Sequence, residues 1–244
     1  MGSETKPIKR RKLSDEVKDR ILETIQLEAL SPGDILPSER ELMTLYGVGR
    51  PAIREAMQSL QGMGLIEVRH GERPRVAEAS MDSALEQMSL TMQHILSHSG
   101  TTLEHLKEAR LGLETYLAGR AASVRTEAQV DQIRSVLSAQ RAARPDPVKF
   151  MHLDGAFHQS IADICGNPLY SAVTRAIFDW LSVFHVGTVR NPGLEDLTLS
   201  EHEDIFDAIS GGDSARAANA MKDHLLRSNK LYHQSNARGS GQPG

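Results

Sequence analysis

Asp154 and His158 stand four residues apart in Leu153-Asp-Gly-Ala-Phe-His158. That spacing puts a carboxylate and an imidazole on one helix face, where they can share an ion. Two more imidazoles lie in later segments of helical periodicity: His202, just after Glu201, and His224, within Met221-Lys-Asp-His-Leu225. Three imidazoles and one carboxylate suit zinc, nickel, manganese or iron and leave a coordination position or two for a ligand. By itself the pattern is weak, because the chain has 10 His, and histidines drawn from separate helices are more often surface or core residues than ligands. A metal-dependent hydrolase is one competing use of the same residues, since an ion can activate water. No general acid or base with a motif behind it stands out for that chemistry. A regulator that senses the ion itself is another.

A second group is cationic. Gly49-Arg50-Pro51-Ala52-Ile53-Arg54 opens a helical segment in which Arg50 and Arg54, four apart, project from one face. Arginine suits bidentate contact with guanine or paired contact with phosphate. Arg40, on the preceding helix, is the natural third contact. Taken singly these are solvated surface charges, but their arrangement next to a basic hairpin points to double-stranded DNA.

The elements that must position these groups can be read along the chain. Residues 1–12 carry Lys9-Arg10-Arg11-Lys12 without apolar periodicity and read as a flexible basic arm, a solvated tail or a phosphate contact. Ser14 is a helix N-cap candidate ahead of Val17, Ile21, Leu22 and Ile25. A second helix starts after Ser38, with Glu41 completing a capping box, and stops at Gly47. A third starts near Arg50 with Pro51 in its first turn, buries Ile53, Ala56, Met57 and Leu60, and ends at Gly62-Met63-Gly64. Residues 65–69 and 73–76 then flank His70-Gly71-Glu72 as a small hairpin. Three helices and a hairpin make a winged helix-turn-helix over residues 13–78.

Residues 79–235 read as an all-α antiparallel bundle, with breaks at Ser99-Gly100, Pro145 to Pro147, Gly166-Asn167-Pro168, Asn191-Pro192-Gly193 and Gly211-Gly212-Asp213. Residues 236–244 read as a disordered tail. The fold class is therefore mainly α. With 244 residues, 39% hydrophobic and only 4% aromatic, the chain can fill two cores with aliphatic side chains. No apolar run reaches the ~18 residues of a membrane span and no signal peptide opens the chain, so a cytoplasmic protein without membrane association is expected. A single cysteine, Cys165, fits a reducing compartment and reads as a helical core residue. The net charge of -4 hides an asymmetry: charges nearly balance over residues 1–76, and the acidic excess lies beyond.

These stretches carry a resemblance. Leu36-Pro-Ser-Glu-Arg-Glu-Leu42, Val48-Gly-Arg-Pro-Ala-Ile-Arg-Glu-Ala56 and Gly64-Leu-Ile66 resemble the GntR family of bacterial transcription regulators. The resemblance implies that Arg40, Gly49, Arg50, Pro51, Ala52 and Arg54 face the DNA major groove and that the wing tip, His70 and Gly71, reaches the minor groove. Glu72 stands where the fatty-acid-responsive member has lysine, and Arg73 can replace the lost phosphate contact. Gly49 and Pro51 replace threonines of that member, so its operator does not carry over. Residues 83–232 are similar to the FCD-type effector domain of the FadR subfamily, which implies Asp154, His158, His202 and His224 as metal ligands. It also implies Arg110 as the receptor for an effector carboxylate, beside the bland alternative of an intrahelical pair with Glu114. Asn167 is a further candidate effector contact, although a turn-forming Asn before Pro accounts for it as well. His152 reads as a surface residue. His70-Gly-Glu-Arg-Pro-Arg-Val76, Gly166-Asn-Pro168 and Asp179-Trp-Leu181 resemble the sialic-acid-responsive repressors of the subfamily. The expectation is a regulator, not an enzyme: a homodimer on a palindromic operator, controlled by a divalent metal, zinc foremost, and a sugar acid or other small carboxylate.

Overall fold

The computed structural model describes residues 11–69, 71–78, 80–185 and 194–239. The chain divides into two compact units, Met1–Gln87 and Met88–Gly244.

In the first unit the three expected helices are α1 (Leu13–Leu27), α2 (Glu39–Tyr46) and α3 (Arg50–Gly62). Ser14 is not the cap of α1. The helix begins earlier, with Lys12 as N-cap and its carbonyl accepting from the Asp15 and Glu16 amides, so Ser14 is a buried residue of the first turn. The cap of α2 is as expected: Ser38 Oγ accepts from the Glu41 amide at 3.3 Å, and the Glu41 carboxylate accepts from the Ser38 amide at 2.7 Å. Gly47 ends α2 with φ 65°, a left-handed conformation that costs glycine little. Val17, Ile21, Leu42, Ile53, Leu60 and Ile66 close one core under the three helices.

The hairpin is shorter than its sequence pattern. Strands β1 (Ile66–Glu67) and β2 (Arg75–Val76) pair antiparallel with Ile66 opposite Val76. Ile35 adds an isolated bridge to Arg75, so the segment before α2 borders the wing. Gly71, at φ 79°, takes the left-handed turn at the tip. His70 lies outside the described residues, as do residues 1–10 of the expected arm.

Helix α4 (Met81–His98) contains the division between the units. The boundary thus falls after Gln87, inside the helix, where the sequence pattern places it at 78/79. Gln87 accounts for this, since its side-chain amide packs over Gly64 of the winged unit.

The second unit is all helical: α5 (Gly100–Val124), α6 (Glu127–Ala142), α7 (Pro147–Ile164), α8 (Pro168–His185), α9 (Leu194–Ser210) and α10 (Ser214–Gly239). A break that the sequence reading passes over separates α5 from α6, at Arg125-Thr126. Its signal is Thr126-x-x-Gln129, which forms a second capping box. Helix α10 runs to Gly239, so residues 236–239 of the expected tail are helical, while 240–244 lie outside the described residues. The core is aliphatic around Phe157, with Ile133, Ile161, Ile205, Ile209, Met221 and Leu225. Gly119 sets how closely α5 meets α10, for a Cβ there would stand 3.1 Å from the Ser214 carbonyl oxygen.

Candidate DNA interface and metal centre

The N-terminus of α3 presents Gly49, Arg50, Pro51 and Arg54 to solvent with Ala52 half-buried between them, and Arg40 of α2 is also exposed. Pro51 fits the first turn because its missing N–H would have had no helical partner there. Arg40 and Arg50 form no ion pair with any described residue. Arg54 Nε stands 3.8 Å from Glu39, and Arg73 at the wing base pairs with Glu41. The Glu41 carboxyl is pulled down to about 2, first by the Ser38 amide and hydroxyl and then by Arg73. The capping box and the wing thus share one carboxylate.

In the second unit, His158 of α7, His202 of α9 and His224 of α10 converge, their ligand atoms within 4.8 Å of one another and their rings buried. Asp154, one turn before His158, places Oδ1 3.5 Å from His202 Nε2. This is close to the edge of a tetrahedral site with bonds of about 2.0–2.1 Å. Of the four residues expected from the sequence, the three histidines form one cluster, and Asp154 approaches it at His202.

What it missed is the layer behind them. Each imidazole meets an acceptor at Nδ1, through a hydrogen bond at His202 and His224 and through a close ion-pair contact without hydrogen-bond geometry at His158. His202 Nδ1 lies 2.9 Å from Gln140 Oε1 and His224 Nδ1 lies 2.7 Å from Glu201 Oε2, while His158 Nδ1 lies against Glu114 Oε2. An amide oxygen or carboxylate accepts only, so at His202 and His224 the proton belongs on Nδ1 and the lone pair on Nε2. Both nitrogens of His158, His202 Nε2 and Glu114 Oε2 are buried without a hydrogen-bond partner among the described residues. Unsatisfied buried acceptors of this kind are costly unless something fills the space between them, and a divalent cation fits that donor set. Burial holds the His202 and His224 imidazoles below their ordinary value, with neighbouring histidines adding to the effect and Glu201 opposing it at His224. Both rings are therefore neutral and competent as ligands near neutral pH.

Local folding explains how these residues come to meet. Asp146 caps α7 by accepting from the Lys149 amide at 3.0 Å, and Phe150, Phe157, His158 and Ile161 form its buried face. Phe157 stacks on His202, ring centroids 4.0 Å apart. On α6 the buried stripe is Val130, Ile133, Leu137 and Gln140. A glutamine on an otherwise apolar stripe was the available signal for its role. Glu201 is reached by Arg227 of α10 through two hydrogen bonds, which tie α9 to α10 behind His224.

Arg110 is 2% exposed and donates from Nε to Glu114 Oε1 at 2.6 Å, the intrahelical pair that sequence allowed as its bland reading. The pair also reaches the histidines, because the other oxygen of Glu114 meets His158. Burial alone would raise the Glu114 carboxyl, but Arg110 and His158 overcome it and hold the group well below the usual carboxylate range. Phe178 lies 5.9 Å over the Arg110 guanidinium, in space that Gly155 leaves free: a Cβ there would stand 2.7 Å from the ring. Asn167 lies beyond the C-terminal end of α7 and caps α8, its Oδ1 accepting from the Leu169 amide at 3.0 Å. His152 is exposed. Cys165 is half-buried, and desolvation raises its thiol. A cavity of about 600 Å³ opens on His224 from the side of α9 and α10, lined by Glu201, Asp204, Asp213, Arg216 and Asp223.

Comparison with known proteins matches each of the two units to a family. Residues 13–76 match the family described as bacterial regulatory proteins, gntR family, and residues 105–227 match the FCD domain. The chain is 34% identical over 228 residues to the HTH-type transcriptional repressor NanR of Cronobacter sakazakii, covering 90% of this chain and 85% of that one. With NanR of Escherichia coli K12 the identity is 33% over 237 residues, covering 94% and 88%. Among solved structures, a GntR protein of Streptococcus agalactiae superposes with a TM-score of 0.62 at 26% identity, over 89% of this chain and 99% of that one. The E. coli protein McbR/YncC shares the fold with a TM-score of 0.52 at 15% identity, over 93% of this chain and 100% of that one. No helix among the described residues is long and apolar enough to cross a membrane. The exposed arginines of a winged helix and the buried histidines of a helical domain are thus two parts of one architecture, and the chain belongs to the gntR family of bacterial regulatory proteins, in its FCD-bearing branch.

Proposed function

We propose that the chain is a DNA-binding transcriptional repressor whose operator affinity is set by a divalent cation, zinc foremost, and a small carboxylate such as a sugar acid. The repressor reading is supported by the NanR relatives. The observation that carries the regulatory part is the cluster of three buried imidazoles, two of them hydrogen-bonded at Nδ1 and the third against Glu114, with Asp154 beside His202. Such anchoring orients the Nε2 lone pair of each hydrogen-bonded ring and raises its basicity. Asp154, His158, His202 and His224 would hold the cation, which would supply a fixed positive charge and an open position for an anionic ligand.

On this reading Arg110 receives the carboxylate of the effector, and Asn167 serves the α8 cap. The cavity beside His224 is too acidic to attract a carboxylate and suits entry of the cation instead. On the DNA side, Arg40, Arg50 and Arg54 read the major groove from α2 and α3, with Gly49, Pro51 and Ala52 allowing close approach. Gly71 and Arg73, with His70, follow the wing to the minor groove and phosphates. One recognition helix reads too few base pairs to single out a genomic site, so a homodimer on a palindromic operator completes the proposal.

The test begins with selection of bound duplexes from a random pool, followed by titration of the selected operator with Zn2+ alone and then with Zn2+ plus N-acetylneuraminate, D-glucuronate or D-gluconate. Release by one of the pairs and not by Zn2+ alone supports the proposal. A response to Zn2+ alone would make the cation the signal. His202→Ala is expected to bind operator normally and to lose both metal and release; equal loss of operator binding would sink the two-module account.

A further inference from the structure

Among the described residues, Glu114 touches both the proposed carboxylate receptor and a proposed metal ligand. Arg110 donates to its Oε1 at 2.6 Å, and its Oε2 lies against His158 Nδ1. Arg110, Glu114 and His158 are all buried, at 2%, 3% and 2% exposure. The ion-pair contact carries the effect across the ring: a carboxylate against Nδ1 stabilises positive charge there, enriches Nε2 and makes it a better donor to a cation. Arg110 opposes this by drawing the same carboxylate's charge toward itself. With water excluded and Phe178 over the guanidinium, that competition takes place at low dielectric, where charge sharing is strong.

We propose that Glu114 couples the two ligands: a carboxylate that engages Arg110 releases Glu114's charge to His158, and the cation is then held more tightly. Displacement is not required, because a guanidinium has five N–H donors and can hold two carboxylates at once. The proposal rests on the metal and carboxylate reading above and adds to it a residue and a sign. Linkage makes the effect reciprocal, so the cation raises affinity for the carboxylate by the same factor. Direct ligation of the carboxylate to the cation would also couple the two positively, but not through Glu114. Glu114 is therefore a positioning residue whose removal separates the two routes.

The experiment measures Zn2+ affinity of the full chain by competition with a fluorescent chelator, without carboxylate and with saturating acetate or N-acetylneuraminate. In the wild type the Zn2+ dissociation constant is expected to fall by at least about fivefold when carboxylate is added, the lower end of usual coupling. Glu114→Gln keeps the side chain's shape and one acceptor but not its charge; it is expected to bind each ligand and to show a ratio near one. An undiminished ratio in Glu114→Gln overturns the relay and leaves the metal and carboxylate reading intact. A wild type that binds no Zn2+, or neither carboxylate, overturns both. Should Glu114→Gln fail to fold, the wild-type zinc protein with 15N-labelled histidine gives a second readout. Acetate is expected to move the His158 Nδ1 resonance toward its imidazolate position, and an unmoved resonance overturns the relay.

Discussion

Arg50 at the start of α3 and Arg110 in α5 are the same residue type in opposite settings. Arg50 is exposed and forms no ion pair with any described residue; Arg110 is 2% exposed and fixed to Glu114. The winged helix keeps its cations in water, where they cost little and remain ready for phosphate or guanine. Among the described residues the helical unit buries a guanidinium, an ammonium, one carboxylate and three imidazoles, and sets opposite charges or acceptors against them. Function on the first surface should therefore be separable from stability, whereas in the buried centre the two should fall together.

The largest expected effect breaks the buried side. Glu114→Ala leaves Arg110 with no charge partner on its own helix and is expected to cost about 3–5 kcal/mol, as removal of one member of a buried pair does. Urea denaturation of the helical unit checks this. Replacing Arg110 and Glu114 together by apolar residues of similar volume should cost less than the sum of the single changes, since no charge is then stranded.

Gln140→Ala is the next step down, because Gln140 orients His202 without itself binding an ion. We expect a 10–100-fold weaker Zn2+ affinity, the usual cost of losing such a partner, measured by chelator competition. In the metal-free protein His202 and His224 also set a pH dependence. Their folded values lie below the ordinary 6.5, so above 6.5 folded and unfolded chains are equally unprotonated and nothing is lost. Below it the unfolded chain takes up protons that the folded chain refuses, and stability declines. Glu114 and Glu201, depressed from 4.5, add their losses only at lower pH. Melting curves of chelator-treated protein from about pH 8 to about pH 5 should show the decline set in near the histidine range.

On the exposed side, Arg50→Ala is expected to cost about 1–3 kcal/mol of operator affinity, read by fluorescence anisotropy, with unfolding midpoint and zinc content unchanged. A shifted midpoint would show that the comparison between the two regions is drawn too sharply.

The same contrast decides what was legible in the sequence. The winged helix is written in local signals: Ser38 with Glu41, Pro51 at the start of α3, glycine at 47 and 64. Each acts within a few residues, so reading along the chain finds it. Ser14 is a departure within this unit, because the chain is already helical at Leu13 and a good capping residue falls inside the first turn. The candidate metal centre draws on α5, α6, α7, α9 and α10, and no short-range pattern ties Gln140 to His202 or Glu114 to His158. Its four inner residues were recognisable through family resemblance, whereas their supports depend on helix packing that periodicity does not specify. Gln140 did leave a trace, as a polar residue at a core position, and so did Thr126 with Gln129, whose capping box marks the break between α5 and α6.

The smallest effect is the most diagnostic for the wing. Ser38→Ala removes one half of the α2 capping box and is expected to cost about 1 kcal/mol of winged-helix stability, seen as a lower unfolding midpoint with zinc affinity unchanged. Ser38 also has a reach beyond its helix. It anchors Glu41, and Glu41 in turn holds Arg73 at the base of the wing. If the cap serves only α2, operator affinity should change no more than stability does. If the Glu41 contact orients the wing, Ser38→Ala should weaken operator binding beyond that, and Glu41→Gln should reproduce the loss. Arg73 would then be a DNA-contacting residue whose position is set from α2, and the winged helix, for all its exposed charge, would contain one network of the kind that dominates the helical unit.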